Sequence, residues 1–127
     1  MKTNDDLYSK EGYELMAAAF EVHDELGGGL SEEIYQESLE IELEMRGIPF
    51  VPKQELPVFY KGRQLKKRYV ADMYVHGGIV VELKSVASLL PEHESQLINY
   101  MRVSKKRVGY LINFGPIKGA EWKRFVV

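Results

Sequence analysis

The amino-acid sequence predicts an α/β fold with one domain over residues 1–127. Two segments with helical periodicity come first, three β-rich segments follow, and a third helix and two more strands complete the order. A chain of 127 residues is long enough to bury its own core. Hydrophobic residues make up 45% of the chain and charged residues 28%, which is typical of a globular protein.

The first helix is predicted over residues 5–26. Its apolar positions recur three and four residues apart and form one stripe, which comprises Leu15, Ala18, Ala19, Val22 and Leu26. Three glycines, residues 27–29, end this helix. Ser31 is then a suitable N-cap for a second helix, with Glu32 and Glu33 in its first turn and its end near Arg46.

The second helix carries apolar residues around much of its circumference. They form two groups, Ile34/Ile41/Met45 and Tyr35/Leu39/Leu43. Because an apolar arc of that width is typical of a buried helix, we expect this helix to be covered on more than one side.

Three β-rich segments follow, at residues 50–60, 65–75 and 79–86. Pro52 and Pro57 predict that the first is an edge strand or is interrupted, since proline cannot donate to a strand ladder. Pro91 opens the third helix, with Leu97, Ile98 and Met101 as its apolar positions. Residues 108–114 are almost all apolar and predict a strand buried on both faces, and residues 122–127 a last short strand.

An acid and a lysine interrupt the apolar strand at residues 79–86. Side chains alternate along a strand, so Glu82 and Lys84 share one face while Val81 and Leu83 take the other. Charged groups in such a strand are costly to bury unless they are paired or bound to something. A second acid, Asp72, lies on the preceding strand.

The length of the glycine-containing turn decides whether Asp72 joins this pair. With a two-residue loop, Gly77 and Gly78, Asp72 falls opposite Leu83 on the other face. With a three-residue loop that includes His76, Asp72 lies opposite Glu82, and directly opposite Cβ atoms are roughly 4.5–5.5 Å apart. Since three-residue loops with a left-handed glycine are common, we favour this register. Two carboxylates so close repel unless a proton or cation lies between them, which indicates a hard-cation site.

Charge is distributed unevenly along the chain. Residues 1–46 hold 13 acidic and 3 basic residues, whereas residues 47–127 hold 6 acidic and 14 basic residues. A basic half can bind a polyanion, although runs of charge are also common on solvated hairpins and helix ends. The densest run comprises Lys61, Arg63, Lys66, Lys67 and Arg68, and a second comprises Lys105, Lys106 and Arg107.

The composition also excludes several classes of protein and site. There are no cysteines, which excludes disulfides, thiol catalysis and zinc–thiolate sites. No apolar run approaches the ~20 residues that a membrane helix needs. The N-terminal residues lack the pattern of a signal peptide, so we expect a cytoplasmic protein.

These motifs, in this order, resemble the PD-(D/E)XK, or restriction-endonuclease-like, superfamily. Its signature is an Asp at a strand start and a Glu-x-Lys on the next strand, here Asp72 and residues 82–84. The chain is more specifically similar to the GxxExxY family within it, whose motif is Gly29, Glu32 and Tyr35. The resemblance extends over residues 12–127. It implies an αβββαβ core with a central mixed sheet flanked by helices.

The resemblance also implies a site and a reaction. Asp72, Glu82 and Glu32 would bind Mg²⁺ or Mn²⁺, Lys84 would orient or activate the attacking water, and Gln96 would assist from the third helix. The implied activity is hydrolysis of a nucleic-acid phosphodiester bond, with DNA more expected than RNA as substrate. The segment from Lys61 to Arg68 would hold the phosphate backbone, and a homodimer or protein partner would supply specificity.

Two other functions remain open at this point. The chain could be a module that keeps the nuclease fold and binds nucleic acid or protein with weak or no catalysis, because fold does not fix function. It could also be a small interaction protein whose acidic first helices bind a basic partner. In that case Glu82 and Lys84 would be a structural ion pair and no metal would bind.

Overall fold

The computed structural model describes residues 6–127 and contains three helices and seven strands in that range. The helices are α1 (Ser9–Leu26), α2 (Glu32–Met45) and α3 (Pro91–Val103). The strands are β1 (Phe50–Pro52), β2 (Glu55–Tyr60), β3 (Arg63–Val70), β4 (Met73–Val75), β5 (Ile79–Lys84), β6 (Val108–Asn113) and β7 (Glu121–Val126). The predicted α/β class is confirmed. The predicted start of the first helix, residue 5, lies outside the described residues.

Five strands form one mixed sheet in the order β1-β4-β5-β6-β7, and β2 and β3 form a separate hairpin. Strands β5 and β6 are parallel and are joined through α3, whereas every other pair is antiparallel. All six residues of β6 are buried, as the sequence predicts for a central strand covered on both faces.

Two hydrophobic clusters cover the two faces of the sheet. On one face, α1 and α2 pack against apolar residues that include Val81 and Leu83 of β5. On the other face, α3 and the β2–β3 hairpin pack against Val80 of β5 and Leu111 of β6. Glu82 and Lys84 alternate with Val81 and Leu83, so they lie on the face that α3 and the hairpin partly cover.

The prediction that α2 is covered on more than one side is wrong. Tyr35, Leu39 and Leu43 are fully buried. The other apolar group is exposed, since Ile34 is 45% accessible, Ile41 54% and Met45 77%. The apolar arc therefore extends beyond the contact with the sheet. Ser31 occupies the N-cap position as predicted, but its side chain makes no capping hydrogen bond.

Two of the predicted strands are interrupted. The segment at residues 50–60 splits into β1 and β2 around Lys53, whose φ is 51°, and β1 lies at the edge of the sheet. Both consequences predicted from the prolines are therefore present. The segment at residues 65–75 splits into β3 and β4 at Ala71 and Asp72. This break lets β3 leave the main sheet and pair with β2.

The glycine turn between α1 and α2 is held by the tyrosine of the GxxExxY motif. The Tyr35 hydroxyl donates to Gly27 O at 2.5 Å and accepts from Leu30 N at 3.1 Å, and its ring stacks on Phe114 at 4.5 Å. A Cβ on Gly28 would lie 2.4 Å from the carbonyl oxygen of Pro116, so this position has room only for glycine. Tyr35 is thus a packing residue whose hydroxyl fixes the turn.

No helix within residues 6–127 is long and apolar enough to cross a lipid bilayer.

Candidate functional site

The β4–β5 hairpin has the three-residue loop that the sequence favours. Val75 pairs with Ile79 and Met73 with Val81, and His76 and Gly77 both adopt left-handed φ values, of 54° and 66°. Continuing this register by one residue places Asp72 opposite Glu82. The Asp72 backbone N–H points toward Glu82 Oε1, with the two atoms 3.4 Å apart.

Asp72 is fixed by contacts to three elements of the fold. Its Oδ2 accepts the Leu83 backbone N–H at 2.7 Å, and its Oδ1 accepts from the Lys53 ammonium at 3.1 Å. Its backbone oxygen accepts from Gln36 Nε2 of α2 at 2.9 Å. Hydrogen bonds therefore connect the break between β3 and β4 to β5, to α2 and to Lys53, which separates β1 from β2.

Glu82 is largely buried and has one strong hydrogen-bond donor. The Tyr69 hydroxyl donates to Glu82 Oε1 at 2.5 Å, and the Tyr69 ring stacks on Tyr100 of α3 with centroids 4.1 Å apart. Burial and the nearby Asp72 carboxylate raise the pKa of Glu82 to about 7, although the Tyr69 hydrogen bond opposes this rise. Burial and the Glu82 charge also raise the pKa of Tyr69, which keeps its hydroxyl protonated as a donor.

A cavity of about 300 Å³ opens beside Glu82 and is named the Glu82 cavity here. It brings together the predicted residues Glu82, Lys84 and Gln96, which come from β5 and α3. Its lining also includes Lys67, Arg68, Tyr69, Val70, His93, Leu97 and Tyr100. The acid and lysine of the Glu-x-Lys motif thus share a polar cavity bordered by cationic side chains of the hairpin.

Asp72 opens on a neighbouring cleft, named the Asp72 cleft, lined by Ser31, Glu32, Glu33, Gln36, Lys53, Asp72 and Leu83. Glu32 is exposed at the start of α2 and reaches this cleft. Within the described chain, no three His, Cys, Asp or Glu side chains are grouped closely enough to hold a metal ion. The structure therefore brings Asp72 and Glu82 together but does not place Glu32 with them as a third acid.

The donor chemistry of the Asp72–Glu82 pair fits a hard divalent cation. Both residues offer carboxylate oxygens, the ligands that Mg²⁺ and Mn²⁺ prefer. Glu82 Oε2 makes no hydrogen bond to any residue in the range 6–127, whereas Oε1 is engaged by Tyr69 and Asp72. The adjacent Asp72 and Glu82 carboxylates repel each other, and a cation bound to both would reduce this repulsion. Among the described residues, Glu82 Oε2 has no hydrogen bond to give up when it binds the cation.

The predicted basic run forms an exposed surface on the hairpin. Lys61, Arg63, Lys66, Lys67 and Arg68 are all exposed. The ion pairs formed within residues 6–127 involve none of these five side chains. Only Lys67 and Arg68 also line the Glu82 cavity, so the run leads from the hairpin tip to the site.

The second basic run begins beside the same hairpin and continues onto the main sheet. Lys105 Nζ is 4.5 Å from the centroid of the Phe59 ring in β2, and Lys106 Nζ is 5.3 Å from that of Tyr74 in β4. Two runs some 40 residues apart in sequence are therefore neighbours on one part of the surface. This proximity depends on the packing of α3 along β2 and has no counterpart in the sequence pattern.

The three histidines make structural contacts. His23 is buried and its Nε2 donates to Pro116 O at 2.7 Å. His76 pairs with Glu14 of α1 at 3.1 Å. His93 Nδ1 accepts the Leu90 backbone N–H at 3.0 Å at the start of α3, and only this histidine borders the Glu82 cavity.

Sequence reasoning missed two residues of the site, Tyr69 and Lys53. Alternation could have indicated Tyr69, because it is the one buried residue in the otherwise exposed β3. Its contact with Glu82 nevertheless depends on the break after Val70, which the sequence does not indicate. Lys53 follows Pro52 in a connection between strands, and no motif points to it.

The sequence of residues 9–125 matches the family model of the PD-(D/E)XK nuclease superfamily. The chain belongs to this superfamily. The match includes every predicted site residue, and the mixed sheet flanked by helices is consistent with the restriction-endonuclease-like fold. No curated protein matches the chain.

A solved structure, the crystal structure of SSO0001, has the same fold. It superposes with a TM-score of 0.58 at 21% sequence identity and covers 74% of this chain. The chain spans about half the length of that structure, 48%. The likeness therefore concerns the fold alone.

Proposed function

We propose that this chain is a metal-dependent nuclease that hydrolyses phosphodiester bonds of nucleic acid, DNA rather than RNA. The observation that carries the proposal is the convergence of Asp72, Glu82 and Lys84 at the end of one hairpin, next to a cavity bordered by Lys67 and Arg68, which form no ion pair within residues 6–127. Membership of a nuclease superfamily supports it independently. The GxxExxY family is the group within that superfamily to which we assign the chain.

Asp72 and Glu82 would hold Mg²⁺ or Mn²⁺ through carboxylate oxygens. Glu32 would contribute from the Asp72 cleft through a bridging water, since it does not form a three-acid cluster with the other two. A bound divalent cation polarises the phosphate and lowers the pKa of water. Tyr69 keeps Glu82 Oε1 fixed, so that Oε2 remains directed away from the phenol.

Lys84 and Gln96 would act on the substrate from two sides of the Glu82 cavity. The Lys84 ammonium would orient the attacking water and stabilise the negative charge that develops on the phosphoryl oxygens. Gln96 lies on α3 and can donate to a phosphate oxygen or to that water. Both side chains are therefore assigned to positioning and charge stabilisation.

The hairpin surface would hold the nucleic-acid backbone. Its five exposed cations have no intramolecular ion pairs in the described chain, so phosphate contacts would break no existing ion pair there. Phosphate contacts carry no sequence information. Specificity would come from a homodimer or a protein partner, and a cytoplasmic location would give access to nucleic acid.

One observation favours a second candidate, a nuclease-fold module with weak or no catalysis that binds nucleic acid or protein. The three predicted acids are not assembled as a group, and Asp72 is already paired with Lys53. This module would keep the basic surface and bind nucleic acid without cleaving it.

Cleavage of linear and circular DNA, single-stranded DNA and RNA, with Mg²⁺ or Mn²⁺, tests the proposal. We expect metal-dependent cleavage of DNA that is lost in Glu82→Ala and in Lys84→Ala. The matched controls are Glu92→Ala and Lys118→Ala, which remove the same charges at exposed positions outside the site. Equal cleavage by all five proteins would refute the assignment, and salt-sensitive binding without cleavage would favour the second candidate.

A further inference from the structure

Lys53 is attached to Asp72 at two points. Its backbone N–H donates to Asp72 O at 2.9 Å, and its ammonium lies 3.1 Å from Asp72 Oδ1. The left-handed backbone of Lys53, with φ 51°, turns the chain between β1 and β2 and directs the residue toward the break between β3 and β4. The path of the main chain thus places Lys53 within reach of the Asp72 carboxylate.

The Lys53 ammonium contacts one of the two Asp72 oxygens that could bind a metal ion. Oδ2 of Asp72 is committed to the Leu83 backbone N–H at 2.7 Å, which fixes the end of β5. Oδ1 accepts no backbone N–H from the described residues, and the Lys53 ammonium is its partner there. A divalent cation that bound Oδ1 would compete with the Lys53 ammonium for that oxygen.

The exposure of the pair allows the ammonium to leave. The Lys53 side chain is 61% accessible, so its charge returns to water without a burial penalty. The backbone hydrogen bond to Asp72 O does not involve the side chain and keeps the connection in place. Glu33 lines the same cleft and offers another carboxylate to the released ammonium.

We propose that Lys53 is a resident counter-cation of Asp72 that a divalent metal ion must displace, and that it thereby weakens metal binding to the free protein. The proposal rests on the metal site of the proposed function and adds a regulatory contact to it. The free protein keeps its paired carboxylates partly neutralised, and metal binding releases a positive charge into the Asp72 cleft.

Calorimetric titration of the purified full chain with MnCl₂ measures the effect without any cleavage. We expect Lys53→Met to bind Mn²⁺ about three- to tenfold more tightly than the wild type. This change corresponds to the energy of an exposed ion pair together with the removal of one nearby positive charge. Lys53→Arg keeps the charge and is expected to bind within about twofold of the wild type. Lys123→Met is the matched control, because Lys123 forms a similar exposed pair with Glu94 at 2.8 Å outside the site.

The ¹³C signals of reductively dimethylated lysines distinguish displacement from a general effect of charge. Lys53→Arg identifies the Lys53 signal, and Asp72→Asn gives its position when the carboxylate partner is removed. Saturating Mg²⁺ is expected to move the Lys53 signal to that position and to leave the Lys123 signal in place.

Equal Mn²⁺ affinities for wild type and Lys53→Met, with binding lost in Asp72→Asn, would overturn the role of Lys53 and leave the metal site intact. A Lys53 signal that stays in place at saturating Mg²⁺ would also overturn it. Mn²⁺ binding only in Lys53→Met would support the proposal and would show that Lys53 prevents metal binding to the free wild-type protein. No binding in any variant would overturn both this inference and the metal site on which it rests.

Discussion

Replacement of Glu82 by Gln is expected to stabilise the metal-free protein at pH 8 relative to the wild type and to remove the proposed nuclease activity. Burial, and then the neighbouring Asp72, raises the pKa of Glu82 to about 7 from its ordinary value of 4.5. In the unfolded chain Glu82 loses its proton near pH 4.5, whereas in the folded chain it keeps the proton to about pH 7. The folded state binds more protons between these two values, so the free energy of unfolding falls as the pH rises.

The size of this effect follows from the two pKa values. Each pH unit in the window costs about 1.4 kcal/mol, so ionisation of Glu82 lowers the free energy of unfolding by about 3 kcal/mol between pH 4.5 and pH 7. A glutamine at this position accepts the Tyr69 hydrogen bond but carries no charge. It therefore avoids the repulsion from Asp72 at every pH.

Urea unfolding in EDTA at pH 5 and at pH 8 measures the difference. We expect Glu82→Gln to gain about 2–3 kcal/mol relative to the wild type on going from pH 5 to pH 8, and to bind no Mn²⁺ at either pH. Glu92→Gln, an exposed acid on α3, is the control and is expected to show no such gain. If the free energy of unfolding changed equally with pH in the wild type and in Glu82→Gln, the idea that the surroundings of Glu82 disfavour its charged form would be refuted.

Three further predictions concern residues around the site and the fold. Tyr69→Phe removes a hydrogen bond that favours the charged form of Glu82, so the pKa of Glu82 should rise and the acidic limb of the pH–activity profile should move to higher pH. An unchanged limb would show that the phenol is not a partner of Glu82. Lys66→Gln with Lys67→Gln should weaken DNA binding and reduce the salt slope by about 2, measured by fluorescence anisotropy at several salt concentrations, and an unchanged slope would place the contact surface elsewhere. Gly28→Ala should destabilise the fold by about 1–3 kcal/mol in urea unfolding, because its Cβ would meet a backbone oxygen, whereas Gly119→Ala, with open space around it, should change stability little.

The sequence predicts much of the fold because local patterns coincide with the tertiary contacts. Alternation in β5 places Glu82 and Lys84 on one face, and the glycine turn indicates the register that brings Asp72 opposite Glu82. The run at residues 108–114 predicts the buried central strand β6. These features depend on residues that are adjacent in sequence or lie across one turn. At such short range, the alternation of side chains along a strand and the length of the turn determine which residues share a face.

The features that the sequence does not predict depend on contacts between distant segments. The apolar arc of α2 indicates apolar surface but not what covers it, and the structure leaves Ile41 and Met45 exposed. Lys53 reaches Asp72 because of a left-handed residue that is neither glycine nor asparagine, which no propensity anticipates. The distance of Glu32 from the other acids depends on the placement of α2, which helical periodicity does not determine.

Adjacent residues of the β2–β3 hairpin face two different parts of the molecule. Arg68 is exposed among the cations, whereas Tyr69 is buried with its hydroxyl on Glu82. If a polyanion bound to these cations and moved the hairpin, the distance between Tyr69 and Glu82 would change, and the proton affinity of that carboxylate would change with it. Because such coupling is reciprocal, the protonation state of Glu82 would in turn change the affinity of the hairpin for the polyanion. Occupancy of the outer surface and ionisation of the buried acid would then be a single linked equilibrium.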